Sequence, residues 1–168
     1  MTGSPVAELV VLLKERGLTL GVAESLTGGM LVAEFVSVPG ASAVVQGGIV
    51  AYQTPLKAAL LGVSESLLAE HGAVHPRVAS EMATGVRTAV AIGGVPATVG
   101  LSTTGVAGPD PQDGQPVGTV FVGVSIGDRV EVTELHLEGD RQAIRTATVS
   151  ESLSSLRRML LSTGSSRE

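Results

Sequence analysis

The chain has 168 residues, with eleven Lys and Arg against sixteen Asp and Glu, no cysteine, and only Phe35, Tyr52 and Phe121 as aromatics. A formal charge of −5 opposes a phosphate backbone and three aromatics make no stacking platform, so no nucleic-acid partner is expected; the missing thiols remove disulfides, thiolate metal sites and a cysteine nucleophile. Apolar runs are broken by Gly and Pro before the roughly 20 residues of a spanning helix, and Met1 to Pro5 does not read as a signal peptide, which predicts a soluble, cytoplasmic chain with no membrane partner.

At about 150 residues per domain the length predicts one domain over 1–168, with an ordered core over 5–162 and a polar tail over 163–168. Ser4 before Pro5 caps a first helix in which Val6, Leu9, Val10 and Leu13 recur at helical spacing until Gly17. Alternating Leu18, Leu20 and Val22 predict a strand ending at Glu24 and Ser25, and Gly28 and Gly29 open a helix to about Val36. The β-branched segment over 43–52 reads as a strand, its Gly47 and Gly48 marking a bulge or a close backbone approach. Thr54 and Pro55 start a helix that Gly62 ends, and His75 and Pro76 start another that stops at Gly93 and Gly94.

Strands follow over 95–103, 117–125 and 129–137. No helix separates the first two of these, so the fourth strand must run antiparallel. In the fifth, the apolar parity moves from Val130 and Val132 to Leu135 and Leu137, which predicts a bulge or an early end. Asp140 caps a last helix carrying Val149, Leu153, Leu156 and Leu160 on one face. The resulting fold class is α/β: three layers, α/β/α, around a mixed five-stranded sheet with one strand antiparallel.

Ligands in such sheets bind beyond the carboxyl ends of the parallel strands. After strand one, Ala23-Glu24-Ser25-Leu26-Thr27-Gly28-Gly29 suits a nucleophile with an oxyanion site, a plain anion site or a simple helix cap. After strand two, Thr54 as cap and Pro55 as first helical residue put Lys57 third in its helix, where the positive dipole end disfavours an ammonium. Lys14 and Lys57 are the only lysines, and lysine, unlike arginine, can give up its proton. After strand three, Thr103, Thr104, Gly105 and Gly108 could cradle a phosphate or ribose. Asp110, Asp113 and Gly114 only faintly suggest a calcium loop, and Gly72 and Pro76 break the helix that would align His71 with His75 for a metal. Arg141 and Arg145 share a face at the start of the last helix; spacing does not decide between surface cations and an anion site.

Taken in order, Ala23-Glu24-Ser25-x-Thr27-Gly28-Gly29, Ser37-Val38-Pro39-Gly40-x-Ser42, Gly47-Gly48-x-Val50-x-Tyr52, Lys57, His71-Gly72-Ala73-Val74, the run from Thr104 to Pro109, and Pro116 to Thr119 resemble the C-terminal domain of the competence/damage-inducible protein CinA. The stand-alone form of that domain is nicotinamide-nucleotide amidohydrolase. The resemblance implies hydrolysis of nicotinamide mononucleotide to nicotinic acid mononucleotide and ammonia in pyridine-nucleotide salvage, with no cofactor or metal, in a homodimer. It implies catalytic roles for Ser25, Tyr52 and Lys57, substrate contacts from Thr27, Gly28, Gly29, Gly48, Thr104, Gly105 and Arg145, and an oxyanion held by amides near Thr27 to Gly29. The sequence departs from the family pattern at Leu26, Gln53-Thr54-Pro55, His75 and Asp110-Pro111. The rival reading is a non-catalytic nucleotide-sensing or protein-interaction module linked to competence or the DNA-damage response.

Overall fold

The structure, a computed structural model, describes residues 3–163. Ser4 Oγ accepts from the Ala7 amide at 3.3 Å and starts α1 (Pro5–Glu15), which buries Val6, Leu9, Val10 and Leu13. β1 (Leu20–Glu24) is buried along its whole length and leads into α2 (Met30–Val36). β2 (Val45–Val50), α3 (Thr54–Leu61), α4 (Glu65–His71) and α5 (Pro76–Ala89) follow, then β3 (Val99–Gly105), β4 (Thr119–Ile126), β5 (Arg129–His136) and α6 (Arg141–Thr163). The predicted tail beyond Thr163 lies outside the described residues.

The sheet order is β2-β1-β3-β4-β5. β1 pairs in parallel with both β2 and β3, while β4 runs antiparallel to both of its neighbours, so one strand is reversed as the direct β3 to β4 connection requires. One face carries α1, α2 and α6 over a core built around Leu9, Leu13, Leu31, Phe35, Leu101, Leu156 and Met159. The other carries α3, α4 and α5 around Leu61, Leu67, Val78, Met82 and Val86. Among the described residues no helix is long and apolar enough to cross a membrane.

The pairing of β1 with β2 slips between Leu20/Val45 and Gly21/Gly47, which places the expected irregularity at Gln46. Gly48 also meets the expected close approach, because a Cβ there would stand 2.9 Å from Val32 of α2. Two expectations are corrected. β5 has no bulge: its register runs unbroken from Thr119/His136 to Ile126/Arg129. The parity change arises because Val132 packs toward the α5 face while Leu135 and Leu137 pack toward the α6 face, so opposite faces are covered at the two ends of an edge strand. Between β2 and β3 there are three helices where the periodicity predicts two. α4 has seven residues and buries only Leu67, too little for a 3.6-residue repeat to register, although Ser64 caps it by accepting from the Leu67 amide at 3.3 Å.

Candidate active site

The strand-to-turn junction after β1 is built by neighbours on both sides. The Ser25 amide donates to the Thr103 carbonyl at 3.1 Å and to Thr103 Oγ1 at 3.3 Å, and that hydroxyl also bonds Thr27 Oγ1 at 2.8 Å. Gly28 (φ 59°) and Gly29 (φ 100°) turn the chain into α2. The positive end of that helix is already occupied: the fully buried Glu24 accepts from the Leu31 amide at 2.8 Å and the Val32 amide at 3.1 Å. A substrate anion therefore has no claim on it. Glu24→Ala should destabilise the fold by about 3 kcal/mol, since it strands two amides, one of them fully buried; urea unfolding checks this, and Glu24→Gln should recover part of the loss.

α3 begins one residue earlier than expected. Gln53, with extended backbone, is the cap, and Thr54 is the first helical residue, which makes Lys57 the fourth. Pro55 sits in the first turn in either case, where its missing N–H costs nothing. Lys57 is 1% exposed, and burial pushes its amine down from 10.5 to about 8, an effect that the negative charge of Asp113 partly opposes. Its Nζ lies 2.8 Å from the Ala51 carbonyl, 3.2 Å from the Tyr52 carbonyl and 3.0 Å from Ser25 Oγ. An ammonium donates all three bonds. A neutral amine has two N–H groups, which the two carbonyls take, and its lone pair then faces the serine hydroxyl.

These groups open into a polar cleft of about 220 Å³ lined by Ser25, Leu26, Tyr52, Lys57, Thr104, Gly105 and, further out, by Asp110, Gln112 and Arg141. Ser25 and Lys57 thus meet, 32 residues apart in sequence. Tyr52 meets them through its backbone. Its ring is half exposed and its hydroxyl accepts from Arg141 at 2.8 Å. Thr104 and Gly105 line the cleft, the Thr104 hydroxyl donating to the Ala73 carbonyl at 2.7 Å. Thr27 is fully buried behind Ser25, Gly28 and Gly29 shape the turn, and Gly48 lies against Val32 beside a different groove.

The two arginines of α6 separate. Arg145 donates to the Leu26 carbonyl at 2.8 Å and the Thr27 carbonyl at 3.3 Å, bracing the turn from behind. Arg141 reaches the cleft and donates to the Gly108 carbonyl at 2.7 Å and to Tyr52. Asp140 caps the helix as expected, accepting from the Ala143 amide at 2.8 Å. Arg141, Gln112 and Asp110 are cleft residues that spacing alone did not select; the i, i+4 pair was the available signal for Arg141. His71 and His75 stack at 4.6 Å, and His75 serves as the cap of α5, so the pair is accounted for by local structure. Among the described residues no three His, Asp or Glu gather in a metal-holding group. A larger groove of about 390 Å³ between α1 and α6 brings together no hydroxyl, amine or imidazole.

The fold and site define a three-layer α/β domain with a buried serine–lysine pair at the carboxyl end of its parallel strands. Residues 4–160 match the family profile described as the CinA C-terminal domain, and the chain belongs to that family. It is 51% identical over 149 residues to a CinA-like protein of Frankia casuarinae, covering 89% of this chain and 33% of that one. With a CinA-like protein of Dictyoglomus turgidum it shares 44% over 156 residues, covering 92% and 37%. The chain spans about a third of the length of these curated relatives. Among solved structures, a CinA superfamily protein from Escherichia coli superposes with a TM-score of 0.85 at 30% identity, covering 92% of this chain and 88% of that one. The CinA superfamily protein from Enterobacter cloacae gives 0.85 at 32%, covering 95% of each.

Proposed function

We propose that the cleft hydrolyses a carboxamide and that its substrate is nicotinamide mononucleotide, released as nicotinic acid mononucleotide and ammonia. The observation that carries the reading is the placement of Lys57 Nζ, 2.8 and 3.2 Å from two carbonyls and 3.0 Å from Ser25 Oγ, so that in the neutral form its lone pair addresses the serine hydroxyl. Lys57 takes the hydroxyl proton as Ser25 attacks the amide carbon, then returns it to the departing nitrogen, which leaves as ammonia. Lys57 next deprotonates a water that attacks the acyl-serine, and the serine recovers its proton as the acid departs. The proton passes directly between the two residues, and Tyr52, engaged with Arg141, orients the outer part of the cleft.

The developing oxyanion needs amide donors near Ser25. Gly28 is committed to the Ser25 carbonyl and Met30 to the Thr27 carbonyl, whereas the amides of Leu26 and Thr27 make no hydrogen bond among the described residues. The Leu26 amide, directly after the nucleophile and in the cleft wall, takes that role, worth about 3 kcal/mol. A binding module without chemistry has no use for a buried lysine aimed at a serine, which favours the enzyme over the competence and damage roles in the names of the solved relatives.

Ammonia release from a panel of pyridine nucleotides and simple aromatic amides tests the proposal; no release from any of them returns the cleft to a binding role. Arg141 supplies the outer cation for a nucleotide phosphate, so nicotinamide riboside should show kcat/KM lower than the mononucleotide by about 10-fold or more. Equal values for the two would remove the phosphate from the recognition.

A further inference from the structure

Near its end β3 carries three consecutive hydroxyl residues, Ser102, Thr103 and Thr104, and all three are buried. A buried hydroxyl without a partner is costly, so each must be hydrogen-bonded. Side chains alternate across a strand, and the partners alternate with them. Ser102 donates to the Ala79 carbonyl of α5 at 2.6 Å, and Thr104 donates to the Ala73 carbonyl at 2.7 Å. Thr103 faces the other side of the sheet, where its hydroxyl accepts from the Ser25 amide at 3.3 Å and shares a hydrogen bond with Thr27 Oγ1 at 2.8 Å. The Thr27 side chain is fully buried and has no other partner among the described residues.

The turn is therefore gripped from two directions. Ser25 has left β1, yet its amide still reaches the Thr103 carbonyl at 3.1 Å, so Thr103 holds the residue by backbone and side chain together. On the opposite side Arg145 takes the carbonyls of Leu26 and Thr27, and the Gly28 amide takes the Ser25 carbonyl at 3.1 Å. A peptide group is planar, so a held carbonyl also fixes the N–H across it. The Ser25 carbonyl in this way sets the direction of the Leu26 amide.

We infer that Thr103 is a positioning residue for the nucleophile: its hydroxyl, paired with that of Thr27, pins the Ser25 turn so that the serine oxygen stays on Lys57 and the Leu26 amide stays in the cleft wall. The inference deepens the serine–lysine reading above and rests on it. Thr103 lies beneath the turn and is absent from the cleft lining, so it acts through Ser25 and touches no substrate. Placement of reacting groups is steep in its effect on rate, since an error of about 1 Å costs up to about 100-fold.

A small fluorophosphonate reports on the serine without requiring amide turnover: an O–P bond forms as the P–F bond breaks, fluoride leaves, and the serine proton passes to Lys57. Ser25→Ala identifies the labelled site by its loss. Thr103→Val keeps the shape and removes the hydroxyl; labelling and kcat should both fall by about 10-fold with KM within about 2-fold, and Thr103→Ser should stay within about 3-fold of the parent. The Val variant strands the Thr27 hydroxyl and should melt lower, whereas Thr27→Val combined with Thr103→Val removes both partners and should regain that stability while labelling stays slow. Ser102→Ala loses a buried hydrogen bond on the other face and should melt lower at the parental labelling rate. Parental labelling in Thr103→Val, recovery of the rate along with stability in the double variant, or equal slowing in Ser102→Ala overturns the inference. Slowed labelling in Thr103→Val and the double variant, in a protein that turns over no amide, upholds it and sinks the amidase reading instead. A parent left unlabelled at Ser25 has no activated serine to position and overturns both.

Discussion

Ser25→Ala should lower kcat for amide hydrolysis by about 10⁴-fold or more while the protein still folds and binds its substrate. The serine is mostly buried, and its hydroxyl faces Lys57 in the cleft while its amide is tied to Thr103. The substitution deletes one oxygen and leaves the backbone bonds in place, so the melting temperature should change by only a few degrees. Ammonia release and calorimetric binding, measured separately, distinguish the outcomes. Activity within 10-fold of the parent would mean that Lys57 activates water directly and that Ser25 merely orients the amide.

Lys57 gives the second large effect. With an amine at about 8, kcat/KM should rise roughly tenfold per pH unit below that value and level off above it. Lys57→Arg keeps the charge but cannot surrender a proton, so about 10³-fold should be lost on the plateau above that value and the rise with pH should vanish. Stability carries the same titration with a definite sign. The folded value lies below the unfolded one, so between about 8 and 10.5 the unfolded chain binds more protons and stability must climb with pH. The full gain is about 3 kcal/mol; it is present above the unfolded value and lost as pH falls through the folded one. Lys57→Met fills similar volume without titrating, so its stability should lack this rise. Urea midpoints at pH 7, 8.5 and 10 test the difference, and parallel curves for parent and variant would remove Lys57 as the group responsible.

Most of the sheet was legible because punctuation and periodicity agree there. Ser4 with Pro5, the glycines at 17, 62 and 93, and the missing helix between β3 and β4 determine element order and the reversed strand. α4 escaped because one buried leucine sets no period, and β5 misled because its apolar residues serve two faces. At the site, the strand-end rule brought Ser25 and Lys57 forward, and the structure brings them into contact. What local spacing could not supply was the direction of long side chains. Arg141 and Arg145 are one helical turn apart and look equivalent in sequence, yet one lines the cleft and the other braces the turn behind it. Glu24 was equally opaque, since nothing in a single carboxylate announces that it will cap amides seven and eight residues later.

The reversed strand frees the length of the connection over 106–118 from the geometry of the sheet. Had β4 run parallel, those residues would have been consumed by a crossover helix packed on the sheet. An antiparallel neighbour can follow after two residues or twenty, and closing a longer loop costs only about 0.6 kcal/mol per doubling. Residues can therefore be inserted or lost between Pro109 and Pro116 with the sheet register intact, and each such change alters the cleft lining while Ser25, tied to Thr103, and Lys57, on α3, keep their separation. Under the proposed amidase reading, loop length governs substrate choice and two fixed side chains govern the chemistry, so the two can diverge independently.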